Sequence, residues 1–338
     1  MKRFRYMKAV SVREAIGIFA AEPGAALMAG GTNLVDLMKY DVSTPTVVVD
    51  INGLPLHDIT EQPDGGLRLG ALVSNADVAY DPRITERYPL LSSAILAGAS
   101  GQLRNMATVG GNLLQRTRCS YFYDVQVPCN KREPGSGCPA KTGLNRGHAI
   151  LGASPLCIAT HPSDMCVALS ALDATILVEG PRGVRSIPFS EFHRLPGESP
   201  ERDTTLEPGE IILAVDLPLL PPSMGYSYLK IRDRLSYAFA LVSVAVLIKI
   251  DDRIIQQAHL SLGSVAHKAW RDKDAETLLV GAAPVRAVFK RFSDRLLDSA
   301  IAQEQNGFKI ELAHRATVRC LEQAAAGTPQ SQANKRIC

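Results

Sequence analysis

The stretch AGGTNLVDLM, residues 29–38, decides the fold, because two adjacent glycines join a short apolar run to a helix-like segment. At Gly30 and Gly31 the missing side chains let a ligand approach main-chain N–H groups where a helix begins. Such a turn suits a pyrophosphate, although it matches neither the dinucleotide fingerprint G-x-G-x-x-G nor the P-loop. Taken alone, the stretch is equally consistent with a tight turn between a strand and a helix.

A second turn of the same kind is TVGGN, residues 108–112, which again combines a threonine hydroxyl, two glycines and an asparagine amide. One glycine turn can be a matter of topology. Two of them could clamp one extended phosphate-bearing ligand from opposite sides. The pair therefore favours a nucleotide cofactor over a purely structural explanation.

Alternating strand and helix patterns surround the first turn. SVREAIGIFAAEPG predicts a helix in which Ser11 and Glu14 form a capping box and Pro23-Gly24 ends the helix. The runs AALMA and TVVVDI predict strands on either side of the glycine turn and its helix. The first fifty-odd residues therefore read as helix, strand, helix, strand.

The rest of the chain predicts further units. ATILVEGPRGVRSIPF reads as a hairpin, and YSYLKI, AFALVSVAVLIKI and RIIQQAHLSLGSV read as three strands followed by helices. The polar segment 194–209, rich in proline and glycine, predicts a boundary. The domain limits predicted are 1–56 for a first subdomain, 57–200 for a second with an insert at 115–160, 201–327 for a C-terminal domain, and 328–338 for a disordered tail.

The composition excludes several classes of protein. The chain has 338 residues, 37 Lys plus Arg, 34 Asp plus Glu and a net charge of +3, with no long run of either sign to suggest a nucleic-acid track. Its longest apolar stretch, residues 238–250, is too short to span a bilayer. Charged residues interrupt the N-terminal segment, so we expect no signal peptide in this chain.

Four of the seven cysteines, Cys119, Cys129, Cys138 and Cys157, lie in a polar, loop-forming stretch. Disulfides, a structural zinc ion and an iron–sulfur cluster all remain open as explanations. The wide spacings lack the short knuckles typical of zinc sites, whereas a cluster is larger than one ion and accepts ligands further apart. We therefore favour the cluster, with the nearby basic side chains Arg116, Arg118, Lys131 and Arg132 offsetting the thiolate charge.

The other cysteines and the histidines have simpler interpretations. Cys166 and Cys320 lie on apolar helix patterns and are predicted to be small buried hydrophobes, whereas Cys338 lies in the tail. No histidine has a partner at metal-ligand spacing, so we interpret His148, His161 and His267 as structural hydrogen-bonding groups. No Ser-His-Asp pattern is present. We therefore expect no substrate chemistry by this chain itself.

With these motifs in place, the chain resembles the FAD-binding (medium) subunit of the xanthine dehydrogenase family of molybdenum hydroxylases. The likeness is carried by AGGTNLVDLM, VDINGL, ATVGGNLLQ, HPSDMCVALSALDA and LKIRDRLSYAFALVSVAV. The cysteine stretch, with GHAILGASPLCIATHPSD, is similar to the periplasmic aldehyde oxidoreductase type, whose flavoprotein subunit carries a [4Fe-4S] cluster.

The resemblance implies an α+β chain: a PCMH-type FAD-binding fold of two α/β subdomains, followed by a C-terminal domain like that of the carbon monoxide dehydrogenase flavoprotein. It implies a heterotrimer with a small subunit holding two [2Fe-2S] centres and a large subunit holding a molybdopterin cofactor, where an aldehyde and water give a carboxylic acid. This chain would pass the electrons to an external acceptor. Export to the periplasm would depend on a signal-bearing partner, with the cytoplasm as the alternative.

The resemblance also implies site residues. The FAD contacts implied are Leu27, Met28, Ala29, Gly30, Gly31, Thr32, Asn33, Leu34, Ile51, Thr108, Gly111, Asn112, Asp164, Ile211 and Lys230. Ile51 is expected to face the adenine through its main chain, Asp164 to bond the adenosine portion, and Lys230 to lie near the flavin. The implied ligands of the [4Fe-4S] cluster are Cys119, Cys129, Cys138 and Cys157.

One position departs from the family pattern. Tyr237 follows Ser236 where family members often have a carboxylate, and it could gate the flavin. That change makes oxygen, a quinone or a protein a better candidate acceptor than NAD. Two other functions remain open from the sequence: a free-standing flavin oxidase of the vanillyl-alcohol oxidase type, and a zinc-stabilised assembly module without redox activity.

Overall fold

The computed structural model describes residues 1–328. The predicted tail, residues 328–338, lies outside the described residues except for its first member, and Cys338 lies outside them too. Within the described part, three β-sheets organise the chain.

The first subdomain is a three-stranded parallel sheet, ordered β1-β3-β2, with two helices. Its elements are Arg5–Lys8 (β1), Val12–Ala21 (α1), Ala25–Met28 (β2), Leu34–Lys39 (α2) and Val47–Asp50 (β3). The apolar run of β3 is fully buried, as expected for the central strand of a parallel sheet. The order of helices and strands predicted around the glycine turn is confirmed.

The predicted cap of α1 is present with one difference. The Ser11 hydroxyl accepts a hydrogen bond from the Glu14 N–H at 3.2 Å. The Glu14 carboxylate reaches back to the N–H of Val10 at 2.7 Å, one residue before the expected partner. Both ends of the motif still supply acceptors to free donors at the start of the helix.

The second subdomain is built on a five-stranded antiparallel sheet, ordered β4-β5-β8-β6-β7. Its strands are Ile59–Glu61 (β4), Leu67–Gly70 (β5), Thr175–Gly180 (β6), Gly183–Pro188 (β7) and Ile211–Leu217 (β8). The helices in this part of the chain are Asn75–Tyr80 (α3), Pro82–Arg87 (α4), Pro89–Ala97 (α5), Gly101–Met106 (α6), Val109–Leu113 (α7), Ser120–Tyr123 (α8), Asp164–Ala171 (α9) and Phe189–Phe192 (α10). The predicted hairpin is β6–β7.

Strand β8 disagrees with the predicted boundary at residue 201. It lies in the middle of the second subdomain's sheet, hydrogen-bonded to β5 on one side and β6 on the other. The polar segment before it is therefore a connection within one unit, which returns the chain to a sheet it has already begun. We propose that the C-terminal domain begins after Leu217.

The C-terminal domain has an antiparallel sheet, ordered β11-β10-β9, with helices packed on it. Its elements are Gly225–Ile231 (β9), Val242–Asp251 (β10), Ile254–Gly263 (β11), Lys273–Glu276 (α11), Arg286–Leu296 (α12) and Phe308–Ala325 (α13). The residues from Val242 to Ile248 are all buried. The three predicted strands and their order in the chain are confirmed, as is the burial of Cys166 and Cys320.

The cysteine-rich insert packs against all three units rather than projecting from them. Phe122 and Cys129 share a small apolar core with Leu37 of the first subdomain. On the other side, the N–H groups of Ile150 and Leu151 donate to the carbonyl of Val265, just after β11, at 2.9 and 3.0 Å. The insert therefore braces the contacts between domains. Among residues 1–328, no helix has the length and apolar character needed to cross a bilayer.

Candidate cofactor sites

A cavity of about 310 Å³ lies between the two N-terminal subdomains and brings the two glycine turns together. It is lined by Leu27, Ala29, Gly30, Gly31, Thr32, Asn33, Leu34, Ile51, Thr108, Gly111 and Ile211 from the predicted set, joined by residues such as Arg116 and Phe122. The remaining predicted contacts, Met28, Asn112, Asp164 and Lys230, do not line it. The turns therefore face one shared space.

Gly30 is required by a close approach of main chains. A Cβ built there would lie 1.6 Å from the carbonyl oxygen of Met106, at the end of α6 in the second subdomain. Gly31 has a φ of +72°, in the left-handed region that glycine adopts without strain. The first turn thus fixes both the distance between the subdomains and the path of its own backbone.

The same turn presents donors to the cavity. Among the hydrogen bonds formed by residues 1–328, none is donated by the main-chain N–H groups of residues 30–34. The buried Nδ2 of Asn33 also has no partner there, while its Oδ1 accepts from the N–H of Arg116 at 3.0 Å. Successive free N–H groups beside glycine, an amide donor and a guanidinium on the wall fit the oxygens of a pyrophosphate.

The second turn is more internally bonded than predicted. The Thr108 hydroxyl accepts the Gly111 N–H at 3.2 Å and thereby caps α7. Asn112 turns away from the cavity, and its Oδ1 accepts from the Ser163 hydroxyl at 2.5 Å and from Gln115 at 3.1 Å. Thr108 and Gly111 therefore line the cavity as a rigid wall, with Asn112 behind it.

Ile51 lines the cavity with its main-chain groups already engaged. Its N–H donates to Met28 at 3.1 Å, and its carbonyl accepts from Leu54 at 3.1 Å. A ligand would therefore meet its apolar side chain and the second lone pair of the carbonyl. Ile211, at the start of β8, adds a buried apolar surface.

Asp164 and Lys230 form a buried ion pair with each other. The Lys230 Nζ lies 2.7 Å from Asp164 Oδ2, and the two side chains are only 4% and 9% exposed, respectively. The Tyr228 hydroxyl donates to Asp164 Oδ1 at 2.6 Å. The pair joins α9 to β9, so the charge of Lys230 is neutralised within the protein; their expected contacts with FAD stay predictions.

Tyr237 lies on an exposed turn between β9 and β10. Its side chain is 59% exposed and its φ is 50°, in the left-handed region. The guanidinium of Arg234 stacks over its ring at 5.9 Å. A gating role for this tyrosine stays a prediction.

The four insert cysteines line one second cavity, together with residues such as Phe122, Lys131 and His148. Burial raises the pKa of Cys119 to about 12 and that of Cys157 to about 11, and it raises the pKa of Cys138 as well. Main-chain N–H groups oppose this effect, those of Phe122 and Tyr121 at Cys119 and that of Ile158 at Cys138. N–H groups aimed at cysteine sulfur are one of the means by which proteins stabilise bound iron–sulfur clusters.

The spacing of the sulfurs bears on which metal they suit. Among residues 1–328, no three cysteine sulfurs lie mutually within 4.8 Å. Four thiolates at about 2.3 Å from one tetrahedral zinc ion would stand about 3.8 Å apart. Four thiols around a common cavity but further apart than this match a larger group better than a single ion.

The basic residues near the cysteines are largely paired with other groups. Arg132 donates to the carbonyls of Tyr121 and Phe122 at 2.7 and 2.8 Å and so braces the loop, while Arg118 pairs with Asp36. Lys131, with a side chain 2% exposed, pairs with Asp203 and lowers the pKa of Cys157. Of the four cations predicted to offset the thiolates, Lys131 has the clearest electrostatic effect on one.

Asp203 connects the walls of the two cavities. It pairs with Lys131 from the cysteine cavity and with Arg116 from the cavity between the glycine turns. Burial raises the pKa of Asp203, but the two cations outweigh burial, so its pKa lies below the usual range. Phe122 lines both cavities, under the guanidinium of Arg116 at 4.9 Å.

A buried lysine holds the insert against α13. The Lys309 Nζ donates to the carbonyls of Gly147, His148 and Ser264 at 3.2, 2.8 and 2.7 Å. We expect Lys309→Met to lower the free energy of unfolding by about 1–3 kcal/mol, because the carbonyls of Gly147, His148 and Ser264 lose the ammonium donor that they share, while His148 keeps the Nδ2 of Asn306. Urea unfolding checks this, with Lys290→Met on the exposed side of α12 as control; equal stabilities of the two variants would contradict it.

Two histidines contact the cysteines, which the sequence did not reveal. His148 Nε2 lies 3.1 Å from the sulfur of Cys119, and His267 Nε2 lies 3.3 Å from that of Cys157. Burial lowers the pKa of His148 to about 4 and that of His267 to about 3. Both rings thus make hydrogen-bonding contacts, and their interpretation as structural groups stays a prediction.

A further group combines His161, Cys166 and His193, whose possible ligand atoms lie within 4.8 Å of one another. His161 Nδ1 accepts from the Ser163 N–H at 3.4 Å, so its proton sits on Nε2. His193 Nε2 donates to Leu113 at 2.8 Å. Since one nitrogen of each ring is already hydrogen-bonded to the main chain, we interpret this arrangement as a buried polar cluster and assign no metal to it.

The chain matches two protein-family models. Residues 2–220 match the FAD binding domain in molybdopterin dehydrogenase, and residues 227–324 match the CO dehydrogenase flavoprotein C-terminal domain. The first match ends after β8. The chain is thus an FAD-binding flavoprotein, and it belongs to the family of FAD-binding medium subunits of molybdenum hydroxylases.

Relatives are found within this family. Over 96% of its length the chain is 50% identical to the aldehyde oxidoreductase FAD-binding subunit PaoB of Escherichia coli, of which 99% is covered. It is 27% identical to the glyceraldehyde dehydrogenase medium chain of Sulfolobus acidocaldarius, over 82% of the chain and 81% of that protein. These are oxidoreductase subunits.

Solved structures share the fold. Carbon monoxide dehydrogenase from Hydrogenophaga pseudoflava matches with a TM-score of 0.76 and 24% identity, over 96% of this chain and 98% of that one. Quinoline 2-oxidoreductase from Pseudomonas putida 86 matches with a TM-score of 0.74 and 24% identity, over 97% and 99%. The predicted fold class is confirmed. The match of the C-terminal domain gives no support to the vanillyl-alcohol oxidase alternative.

Proposed function

We propose that this chain is the FAD- and [4Fe-4S]-containing electron-transfer subunit of a molybdenum-dependent aldehyde oxidoreductase. The observation that carries the proposal is the pair of adjacent cavities, one lined by both glycine turns and the other by all four insert cysteines. The 50% identity to an aldehyde oxidoreductase FAD-binding subunit supports an aldehyde as the substrate of the complex.

In this proposal the first cavity binds the FAD pyrophosphate. The free N–H groups of residues 30–34 and the Nδ2 of Asn33 would donate to its oxygens. The rigid Thr108 turn would close the cavity from the opposite side and exclude water. FAD supplies the chemistry of accepting electrons and releasing them in pairs.

Cys119, Cys129, Cys138 and Cys157 are the proposed ligands of the [4Fe-4S] cluster. Their protons would leave on metal binding, because only thiolates ligate iron. Support comes from the shared cavity, the N–H groups directed at the sulfurs and a spacing in which no three of the described cysteine sulfurs lie mutually within 4.8 Å. The buried Lys131 offsets part of the added negative charge.

The proposed partners are a small subunit with [2Fe-2S] centres and a large subunit with a molybdopterin cofactor. Aldehyde oxidation would take place on the large subunit, and electrons would leave through this chain to an external acceptor. We further propose the periplasm as its compartment, reached by export with a signal-bearing partner.

The test is the visible spectrum of the purified complex under anaerobic conditions. We expect an aromatic aldehyde to bleach the absorbance near the flavin maxima, because electrons from the large subunit reach the flavin of this chain. The isolated chain should show no bleaching with the same aldehyde. Bleaching of the isolated chain by an alcohol would instead support a free-standing oxidase, and a colourless purified chain would support a zinc-stabilised module.

A further inference from the structure

Two imidazoles lie against two of the proposed cluster ligands, and they come from different parts of the chain. His148 belongs to the insert and meets Cys119 at 3.1 Å, whereas His267 follows β11 in the C-terminal domain and meets Cys157 at 3.3 Å. Both contacts are within hydrogen-bonding range for sulfur. His148 is 29 residues from Cys119 in the sequence, and His267 is 110 residues from Cys157.

The hydrogen-bond partners of the two ring nitrogens show which nitrogen of each histidine carries the proton. Nδ1 of His148 and Nδ1 of His267 are both buried without a hydrogen-bond partner in the described chain. A proton on Nδ1 would therefore be unsatisfied, whereas a proton on Nε2 points at sulfur. A cysteine that ligates iron is a thiolate with no proton to give, so each histidine must be the donor.

Both rings are held in place by the fold. The carbonyl of His148 accepts from the Nδ2 of Asn306 at 3.2 Å and from the Nζ of Lys309 at 2.8 Å, which fixes this residue to the start of α13. The residue before His267, Ala266, accepts the N–H of His161 at 3.0 Å. The main chain at both histidines is therefore fixed by contacts with other parts of the chain.

We infer that His148 and His267 are positioning residues that raise the reduction potential of the cluster by donating Nε2–H hydrogen bonds to the thiolates of Cys119 and Cys157. This inference rests on the proposed [4Fe-4S] site. Reduction adds one electron and one negative charge to a cluster that is already anionic. Donors at the sulfurs stabilise the more negative form more strongly, and hydrogen bonds to the sulfurs are a recognised control on cluster potential.

The experiment is a redox titration of the anaerobically purified full chain, followed by electron paramagnetic resonance. We expect His148→Leu and His267→Leu each to lower the equilibrium constant for one-electron reduction about tenfold, a shift of about 59 mV to more negative potential. Glutamine places an amide N–H near the Nε2 position, so His148→Gln and His267→Gln should restore most of the potential. His259→Leu is the control, because the ring nitrogen Nδ1 of His259 bonds the carbonyl of Ala171 and pairs with Asp173, away from the four insert cysteines in sequence.

Iron and acid-labile sulfide are measured on every variant. Leu variants that hold a full cluster at the wild-type potential would overturn the inference, as would Gln variants shifted as far as the Leu variants. If a Leu variant cannot hold the cluster, His→Asn is compared with His→Gln, because asparagine is polar but too short to reach sulfur. A lower potential for Asn supports the inference, and equal potentials overturn it. Wild-type chain without iron would count against the proposed function instead.

Discussion

Gly30→Ala will abolish stable FAD binding. The new methyl group would lie 1.6 Å from the carbonyl oxygen of Met106, so the two subdomains must separate or the turn must move. Overpacking of this kind costs about 1–3 kcal/mol. Since the turn also carries the free N–H groups that face the cavity, we expect at least a tenfold loss of FAD affinity, about 1.4 kcal/mol. Fluorescence titration of the deflavinated chain with FAD measures it.

Two further glycine variants separate a local effect from general instability. A Cβ at Gly17, within α1, meets no atom within 4 Å, so Gly17→Ala should bind FAD normally and gain about 0.5–1 kcal/mol in stability. A Cβ at Gly111 meets only the Thr108 hydroxyl, at 3.0 Å, so Gly111→Ala should fold and still bind FAD more weakly. Normal flavin affinity in both Gly30→Ala and Gly111→Ala would contradict the placement of FAD between the turns.

The second large effect is a loss of iron and sulfide, which we expect when a cysteine of the insert is replaced. Cys129→Ala or Cys138→Ala should remove most of the iron and acid-labile sulfide, because a cluster with three of its four thiolates is poorly held. FAD content should change little, since neither cysteine lines the cavity between the glycine turns. The measurement is iron, sulfide and flavin per chain after anaerobic purification.

Cys320→Ala is the matched control for these cysteine variants. Cys320 is fully buried, lies on α13 and donates to the carbonyls of Ser227 and Val244, outside the insert. It should keep wild-type iron and sulfide. Full iron and sulfide in the Cys129 and Cys138 variants, or equal losses in the control, would show that these cysteines are not the ligands.

The local elements could be predicted because each carries its signal in a few adjacent residues. Ser11 before an apolar helix face, the β-branched run of β3 and the long apolar run of β10 each indicate one structure. The two glycine turns and the clustered cysteines were also visible, since their residue types are unusual in those surroundings. The match to the family confirms the fold class that these patterns indicated.

Non-local pairing explains what the sequence could not reveal. Strand β8 follows a segment that looks like a linker, and its place between β5 and β6 depends on residues far from it in the chain. His148 contacts Cys119 only once the insert is folded, whereas the contact of His267 with Cys157 and the pairing of Lys230 with Asp164 arise only when separate domains meet. The sequence likewise showed that Arg132 lies near the cysteines, but not that its side chain donates to main-chain carbonyls.

The central claim is that this family member holds both a flavin and a [4Fe-4S] cluster in adjacent cavities. Its most direct test is the iron, acid-labile sulfide, zinc and FAD content of the full chain purified anaerobically without its partners. We expect equal amounts of iron and sulfide, about four of each per chain, together with one FAD. Stoichiometric zinc without iron or sulfide would contradict the claim.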